Sequence, residues 1–405
     1  MNVAIIGGGA SGLVCAIEAA RGGHRVSVFE KNAKLGRKIL ATGNGKCNIS
    51  NLHLNPTRYH GEFPQFVTPI LKRFNTLTCK DFFRTLGLEM REGEAGRLYP
   101  MSHHASSVVD ILVHEARELG VKFLCESEVK RIAHKGEQFE LHVNDQTSLF
   151  DACVIASGSF AYPSLGSSGS GYAFAKCLGH TVIEPYPTLV QLLSDEAHLS
   201  LANGVKIDAG VELFVSGTMR QRVQGDVLFT TYGLSGSAIL DISRAASRAC
   251  VENEPSWVVL DLLPTFSKEA VQSLLQKRLA YAGKKSLILW LEGIIPKKLA
   301  LFLIHANTLE HLTSASLLSP KELKRLCFSL KALRLHVKGT KGFESAEVCS
   351  GGVDVREVDE KSLMSKKVKN LYFCGEVLDI DGDCGGFNLH FAWGSGYVVG
   401  QSIKA

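Results

Sequence analysis

The chain has 405 residues, 45% of them hydrophobic and 21% charged, with a formal net charge of +5. That balance fits a globular protein of two or three domains. The eleven cysteines are scattered and form no C-x-x-C, which argues against a zinc ribbon or a disulfide framework and for a reduced, cytoplasmic protein. No apolar run reaches the length of a membrane span, and Met1–Ala20 lacks the basic start of a signal peptide.

Val3–Ile6 reads as a strand, Ser11–Arg21 as a helix stopped by Gly22-Gly23, and Arg25–Glu30 as a second strand, a β-α-β unit. Between its first strand and helix lies Gly7-Gly8-Gly9-Ala10-Ser11-Gly12, which fits G-x-G-x-x-G. Gly7 permits the tight turn, Gly9 lets backbone approach a pyrophosphate, and Gly12 lets helix pack on strand. Ala10 and Ser11 open the helix whose positive end faces the phosphates. Glu30, followed by Lys31, ends the second strand where a carboxylate accepts hydrogen bonds from ribose hydroxyls.

Lys31–Lys38 resembles the Gly-Arg segment after the second strand in the glutathione-reductase and amine-oxidase families of FAD proteins. The resemblance implies that Arg37 and Lys38 support cofactor phosphates; a solvated basic loop is the alternative. Leu40–Asn51 is dense in Gly, Asn and Thr, so Thr42, Gly43, Asn44 and Asn48 offer amides to a polar ring edge. Cys47 has no second cysteine within thirty residues, which argues against a thiol–disulfide relay.

A helix over Ser107–Leu119 precedes one strand and a small antiparallel meander, in which Val129 is a further cofactor candidate. Ala152–Ser157 is an apolar strand leading into Ser157-Gly158, resembling the A-T-G strand of FAD proteins. The glycines of Tyr162–Tyr172 do not make a second dinucleotide fingerprint, because Pro163 is present and no apolar strand directly precedes them. No dedicated NAD(P) domain is therefore expected.

From Thr188 to Leu263 the pattern is of short strands: Val211–Val215, Arg220–Gln224, Val227–Phe229 and Trp257–Leu262. From Phe266 to Leu335 it is helical, with 12 Lys+Arg against 4 Asp+Glu. That excess is either a solvated surface or a wall attracting an anionic partner. Leu371–Gly375 is a strand ending in Gly375-Glu376, and Gly386–Ser402 an apolar helix opened by Gly386-Phe387-Asn388. The positive end of that helix suits a flavin N1/C2=O edge. Asp379-x-Asp381-x-Asp383 has the start of an EF-hand spacing but lacks the later Glu, so no metal is expected.

Gly36–Asn51, Gly96–Ser102, Val154–Tyr172, Gly225–Ser237 and Cys349–Gly396 together resemble the BaiN/YhiN-like flavoproteins, often described as NAD(P)/FAD-dependent or aminoacetone-oxidase-like oxidoreductases. The resemblance runs essentially end to end. It implies an α/β fold with a Rossmann-like FAD domain from both chain ends (1–187 and 345–405), an inserted β-rich domain (188–265 and 334–344) and a helical cap (266–333). It also implies hydride exchange with a small organic substrate through flavin N5, with NAD(P)H as a transient co-substrate. Lys46, Asn48 and His390 are the flavin-edge candidates for catalysis. The chain departs from the family at Lys46, Ser157-Gly158-Ser159 and His390, where Arg, Thr-Gly-Gly and Gln are usual. Two other classes compete: a flavin-containing redox sensor or assembly protein, and a flavin-dependent RNA-modifying enzyme. No stable nucleic-acid partner is expected, since Tyr281 and Trp290 are the only tyrosine and tryptophan in the basic segment.

Overall fold

A computed structural model describes every residue except Asp145 and Ala405. The chain divides into two compact units, Met1–Tyr186 with Glu347–Ala405, and Pro187–Ala346.

The first unit is built on a five-stranded parallel sheet: β1 (Asn2–Ile6), β2 (Arg25–Phe29), β3 (Lys122–Leu124), β4 (Ala152–Ile155) and β5 (Leu371–Phe373), in the order β5-β4-β1-β2-β3. β4, inside the sheet, is buried along its whole length, as a parallel strand must be when both faces are covered, and β5 is buried too although it stands at the sheet edge. Helix α1 (Ala10–Arg21) connects β1 to β2, α2 (Ala105–Glu118) precedes β3, and α3 (Phe387–Ser402) ends the unit. α3 packs on α1 with backbones close together. A Cβ on Gly396 would lie 2.2 Å from the Ser11 carbonyl oxygen, and one on Gly400 2.5 Å from Glu18 Cβ. Glycine four residues apart on one helix face is what brings the two chain ends into one core. An antiparallel meander, Val129–Lys135, Gln138–Val143 and Gln146–Phe150, follows β3.

The second unit carries a seven-stranded sheet whose longest strands are Lys206–Val215 and Thr218–Phe229. The expected strands Arg220–Gln224 and Val227–Phe229 are one. Gly225 and Asp226, which look like a break in sequence, pair with Ala209 and Asp208. A helix, Ser237–Val251, was hidden in the strand-rich stretch. Its apolar residues Ala238, Ile239, Ile242, Ala246 and Ala249 recur at helical spacing, while serines and arginines dilute the signal. Helices Val67–Arg73, Thr76–Thr85 and Ser170–Cys177 were also unmarked by the sequence pattern.

The basic segment folds into helices Lys268–Ala280, Leu287–Glu292, Lys297–Ala306 and Pro320–Lys331. Ser267 and Ser286 cap two of them, and Ser319 with Glu322 forms a reciprocal capping box ahead of Pro320. Lys297, Lys298, Lys324 and Arg325 are exposed. No helix of the described residues is long and apolar enough to cross a membrane.

Candidate cofactor site

The carboxyl ends of β1, β2 and β4 open onto a cleft in the first unit, lined by Ile6, Gly7, Phe29, Glu30, Lys31, Val129 and Ser157. Its position matches the place where a doubly wound sheet reverses strand order, here between β1 and β4. α1 starts there at Gly9 with no side-chain cap, so its first-turn amides keep their donors for a ligand. A Cβ on Gly12 would stand 2.0 Å from the Gly7 carbonyl oxygen, whereas one on Gly9 would meet no protein atom within 4 Å. Gly12 thus serves helix–strand packing, and Gly9 borders open space. Ala10 is half-buried and Ser11 is buried, its hydroxyl donating to the Cys374 carbonyl at 3.3 Å.

Glu30 is held by three donors: Gly8 N–H at 2.9 Å on one oxygen, and Asn32 N–H and Nδ2 at 2.9 and 2.6 Å on the other. Its one remaining lone pair, on the oxygen that Gly8 holds, is the one a ribose can use. Arg37 does not stand free for phosphate. It donates to Asn32 Oδ1 at 2.7 Å and to the Ser164 carbonyl at 3.0 Å, fastening the loop at 163–166 to the glycine-rich turn. Lys38 is likewise spent, on Glu376 at 2.7 Å, and Glu376 also accepts the Cys349 N–H at 3.1 Å. The sequence reading missed that these expected ligand-binding charges neutralise one another, because 338 positions separate Lys38 from Glu376.

The loop after α1-β2 is strained. Gly43, Asn44 and Cys47 all have positive φ, at 57°, 54° and 57°. Two of these are not glycine, a cost tolerated chiefly where function fixes the backbone. The loop brings Asn48 beside the start of α3. A Cβ on Gly386 (φ 101°) would lie 2.8 Å from Asn48 Oδ1 and 2.6 Å from the Ser50 carbonyl oxygen. Asn48 Oδ1 and Ser157 Oγ are buried and have no hydrogen-bond partner. Such orphaned atoms are costly, and they suit a polar ligand seated at both ends of the site. Thr42, half-buried, donates to the Ile39 carbonyl at 2.7 Å. Gly43 and Asn44 are exposed, as is Lys46. Gly375 (φ 77°) donates its N–H to Ser395 Oγ at 2.9 Å, and a Cβ on Gly158 would meet no protein atom within 4 Å.

One expected role needs correcting, and two more are narrowed to the backbone. His390 is fully buried, with Nδ1 2.8 Å from Ser50 Oγ and Nε2 2.7 Å from the Phe74 carbonyl oxygen. Burial pushes its pKa down to about 4, against a smaller opposing pull from the Phe74 carbonyl. With both nitrogens engaged it is a neutral structural residue, not a proton donor. The Asn388 amide clasps Gly382 through both its N–H and C=O, each at 2.7 Å, and so fixes the 381–383 turn. Phe387 is buried in the core against Tyr59. Only the backbone of these last two residues is left for a ligand.

The acidic loop is occupied by the protein itself. Asp379 accepts the N–H groups of Glu62 and Gly351, Ser350 donates to Asp381 at 2.5 Å, and Asp383 pairs with His60 at 2.7 Å and Arg58 at 3.2 Å. Burial opposes ionisation of Asp383, but His60 and Arg58 hold its pKa below the usual value. Among the described residues no group of three or more His, Cys, Asp or Glu is placed to hold a metal ion. Ser127, Glu128, Gly166, Ser168 and Ser170 also line the cleft and were not anticipated. Their only sequence signal was a run of small polar residues.

The description "HI0933-like protein Rossmann domain" matches residues 1–402. A 3-dehydro-bile acid delta(4,6)-reductase from Clostridium scindens is 37% identical over 403 residues, covering 99% of this chain and 98% of the relative. Ribosomal RNA dihydrouridine synthases from Escherichia coli and Haemophilus influenzae are 33% and 32% identical, covering 99% of this chain and 97% and 98% of theirs. An uncapped glycine-rich helix start, an acid at the end of β2 and a match over nearly every residue converge: the chain belongs to the HI0933-like Rossmann-domain family, the BaiN/YhiN-like flavoproteins, and is an FAD-dependent oxidoreductase.

Proposed function

We propose that this oxidoreductase saturates a carbon–carbon double bond conjugated to a carbonyl in a small organic substrate, taking electrons from NAD(P)H as a transient co-substrate. The observation that carries the reading is full-length likeness to reductases of two names with one chemistry. A delta(4,6)-reductase acting on a 3-dehydro steroid acid, and a synthase making dihydrouridine, each add hydrogen to a C=C conjugated with a carbonyl.

Bound FAD would supply the hydride chemistry. The chain's part is to hold and orient it. Gly9, Ala10, Ser11 and Gly12 offer amides to the pyrophosphate, Gly7 makes the turn with its own N–H given to the Phe29 carbonyl, and Ser157 and Gly158 lie across the cleft. Glu30 takes the ribose hydroxyls, flanked by Lys31 and Val129. Arg37 and Lys38 keep Asn32 and Glu376 in place, and Gly375 and Glu376 border the ribityl chain. Thr42, Gly43, Asn44, Asn48 and the amides of Gly386, Phe387 and Asn388 meet the ring. Exposed Lys46 is the remaining candidate to deliver the accompanying proton. Substrate selectivity is assigned to the inserted residues, 266–333 among them. The positive charge of that segment favours a carboxylate.

The second reading is reduction of a uridine in RNA. It is favoured by the two synthase relatives and by the exposed lysines of the basic segment. Tyr281 is 81% exposed and available for stacking, whereas Trp290 is buried. Anaerobic reduction of the yellow protein with NADH or NADPH, followed by mixing with a 3-oxo-4,6-diene steroid acid or with ribosomal RNA lacking dihydrouridine, separates the two. Reoxidation by the steroid acid with stoichiometric product supports the first reading, and reoxidation by RNA alone replaces it with the second. Reduction without turnover on any enone sinks both and leaves a redox sensor.

A further inference from the structure

We propose that Asn48 and the first turn of α3 form a receptor for the imide edge of a flavin, Asn48 Oδ1 taking N3–H and the helix amides taking the neighbouring carbonyl. The proposal rests on the FAD reading above and adds which side chain sets the orientation of the ring.

Two independent features meet at this spot. α3 is sixteen residues long and begins at Gly386 without a side-chain cap, so its end offers N–H donors and the positive pole of the helix. Asn48 is only 9% exposed, and its Oδ1 is buried without any partner. An amide oxygen can only accept. A ligand filling both must therefore present a donor and an acceptor side by side on one edge. A phosphate or a carboxylate has acceptors only and would set lone pairs against Oδ1. An imide edge has the required alternation.

The backbone is shaped to keep this space. Gly386 has φ 101°, and a Cβ there would come within 2.8 Å of Oδ1, closing the gap that the ligand edge needs. On the other side, a Cβ on Gly43 would lie 3.1 Å from the Asn48 backbone nitrogen. Left-handed Gly43, Asn44 and Cys47 hold the loop, and Asn51 Nδ2 ties it to the Gly385 carbonyl at 2.9 Å. The neighbouring His390 and Trp393 bind Ser50 and the Ile49 carbonyl, so Asn48 stands on a fixed base with its own oxygen left over.

The test compares dissociation constants of FAD and 3-methyl-FAD, which lacks N3–H, for wild type and Asn48→Ala. Wild type is expected to bind the methylated cofactor at least about tenfold more weakly, the size of losing one buried hydrogen bond. In Asn48→Ala that ratio should fall to within about twofold, with FAD itself weakened. A second readout needs no variant: in wild type loaded with 15N-labelled FAD, the N3 proton should be shifted downfield and exchange slowly with solvent. Equal ratios in wild type and variant, or a freely exchanging N3 proton, overturn this proposal while FAD binding stands. A wild type that retains no FAD overturns the cofactor site and this proposal together.

Discussion

Lys38 and Glu376, 338 positions apart, form an ion pair at 2.7 Å between the segment after β2 and the end of β5. Their side chains are 29% and 19% exposed, neither a surface pair nor a fully buried one. Lys38→Met should destabilise the protein by about 1–2 kcal/mol, between the values for exposed and buried pairs. Glu376→Gln should cost less, since it can still accept the Cys349 N–H. Urea midpoints of both single variants and the double variant check this, and strict additivity would show that the pair does not couple.

Gly9 and Gly12 separate cofactor binding from folding. Gly9→Val should yield a folded protein that no longer retains FAD, because its Cβ meets no protein atom within 4 Å and the side chain enters the proposed phosphate site. Gly12→Val should fail to fold, because a Cβ would collide with the Gly7 carbonyl at 2.0 Å. Circular dichroism and the flavin-to-protein absorbance ratio report the two outcomes. Full flavin occupancy in Gly9→Val would move the phosphate site elsewhere.

His390 predicts an acid limb of stability. Its folded pKa, about 4, lies below the ordinary 6.5, so the unfolded chain binds the proton more readily. The neutral ring's contribution is complete above pH ~6.5 and is lost as pH falls toward ~4, by up to about 3 kcal/mol. Denaturation midpoints between these pH values should fall more steeply for wild type than for His390→Gln. Parallel slopes would mean that the ring titrates normally.

Burial pushes the Cys47 thiol up to about 12, leaving almost no thiolate at neutral pH. Iodoacetamide should label exposed Cys177 and spare Cys47 in the native protein. Cys47→Ser should leave flavin reduction by NAD(P)H within about twofold of wild type if that thiol takes no part in the chemistry. Mass spectrometry of the labelled peptides and stopped-flow absorbance check each half.

The glycine-rich turn, the sequence of β1, α1 and β2, and the apolar strands β4 and β5 were legible because each is a local pattern with a local cause. What was not legible is how long-range partners divide the polar side chains. Arg37, Lys38 and Asn388 look like ligand-binding groups in sequence, yet each is consumed by a protein partner, two of them far along the chain. His390 sat at the right motif position and in the wrong environment, since only the fold shows that Ser50 and Phe74 enclose it. The Ser237–Val251 helix was lost to neighbouring strands because its apolar face is made largely of alanine.

The packing of α3 on α1 through Gly396 and Gly400 sets an order of events during synthesis. The ribosome delivers α1 before β5 and α3, so the sheet edge at β4 and the face of α1 stay bare until those two elements have emerged. Pro187–Ala346 has its own apolar core and needs nothing from the final residues to close. The inserted unit is thus able to fold on the nascent chain before the nucleotide-binding unit is complete. Flavin capture then follows the emergence of α3, and removing the last two turns of α3 would cost the protein its cofactor rather than its insert.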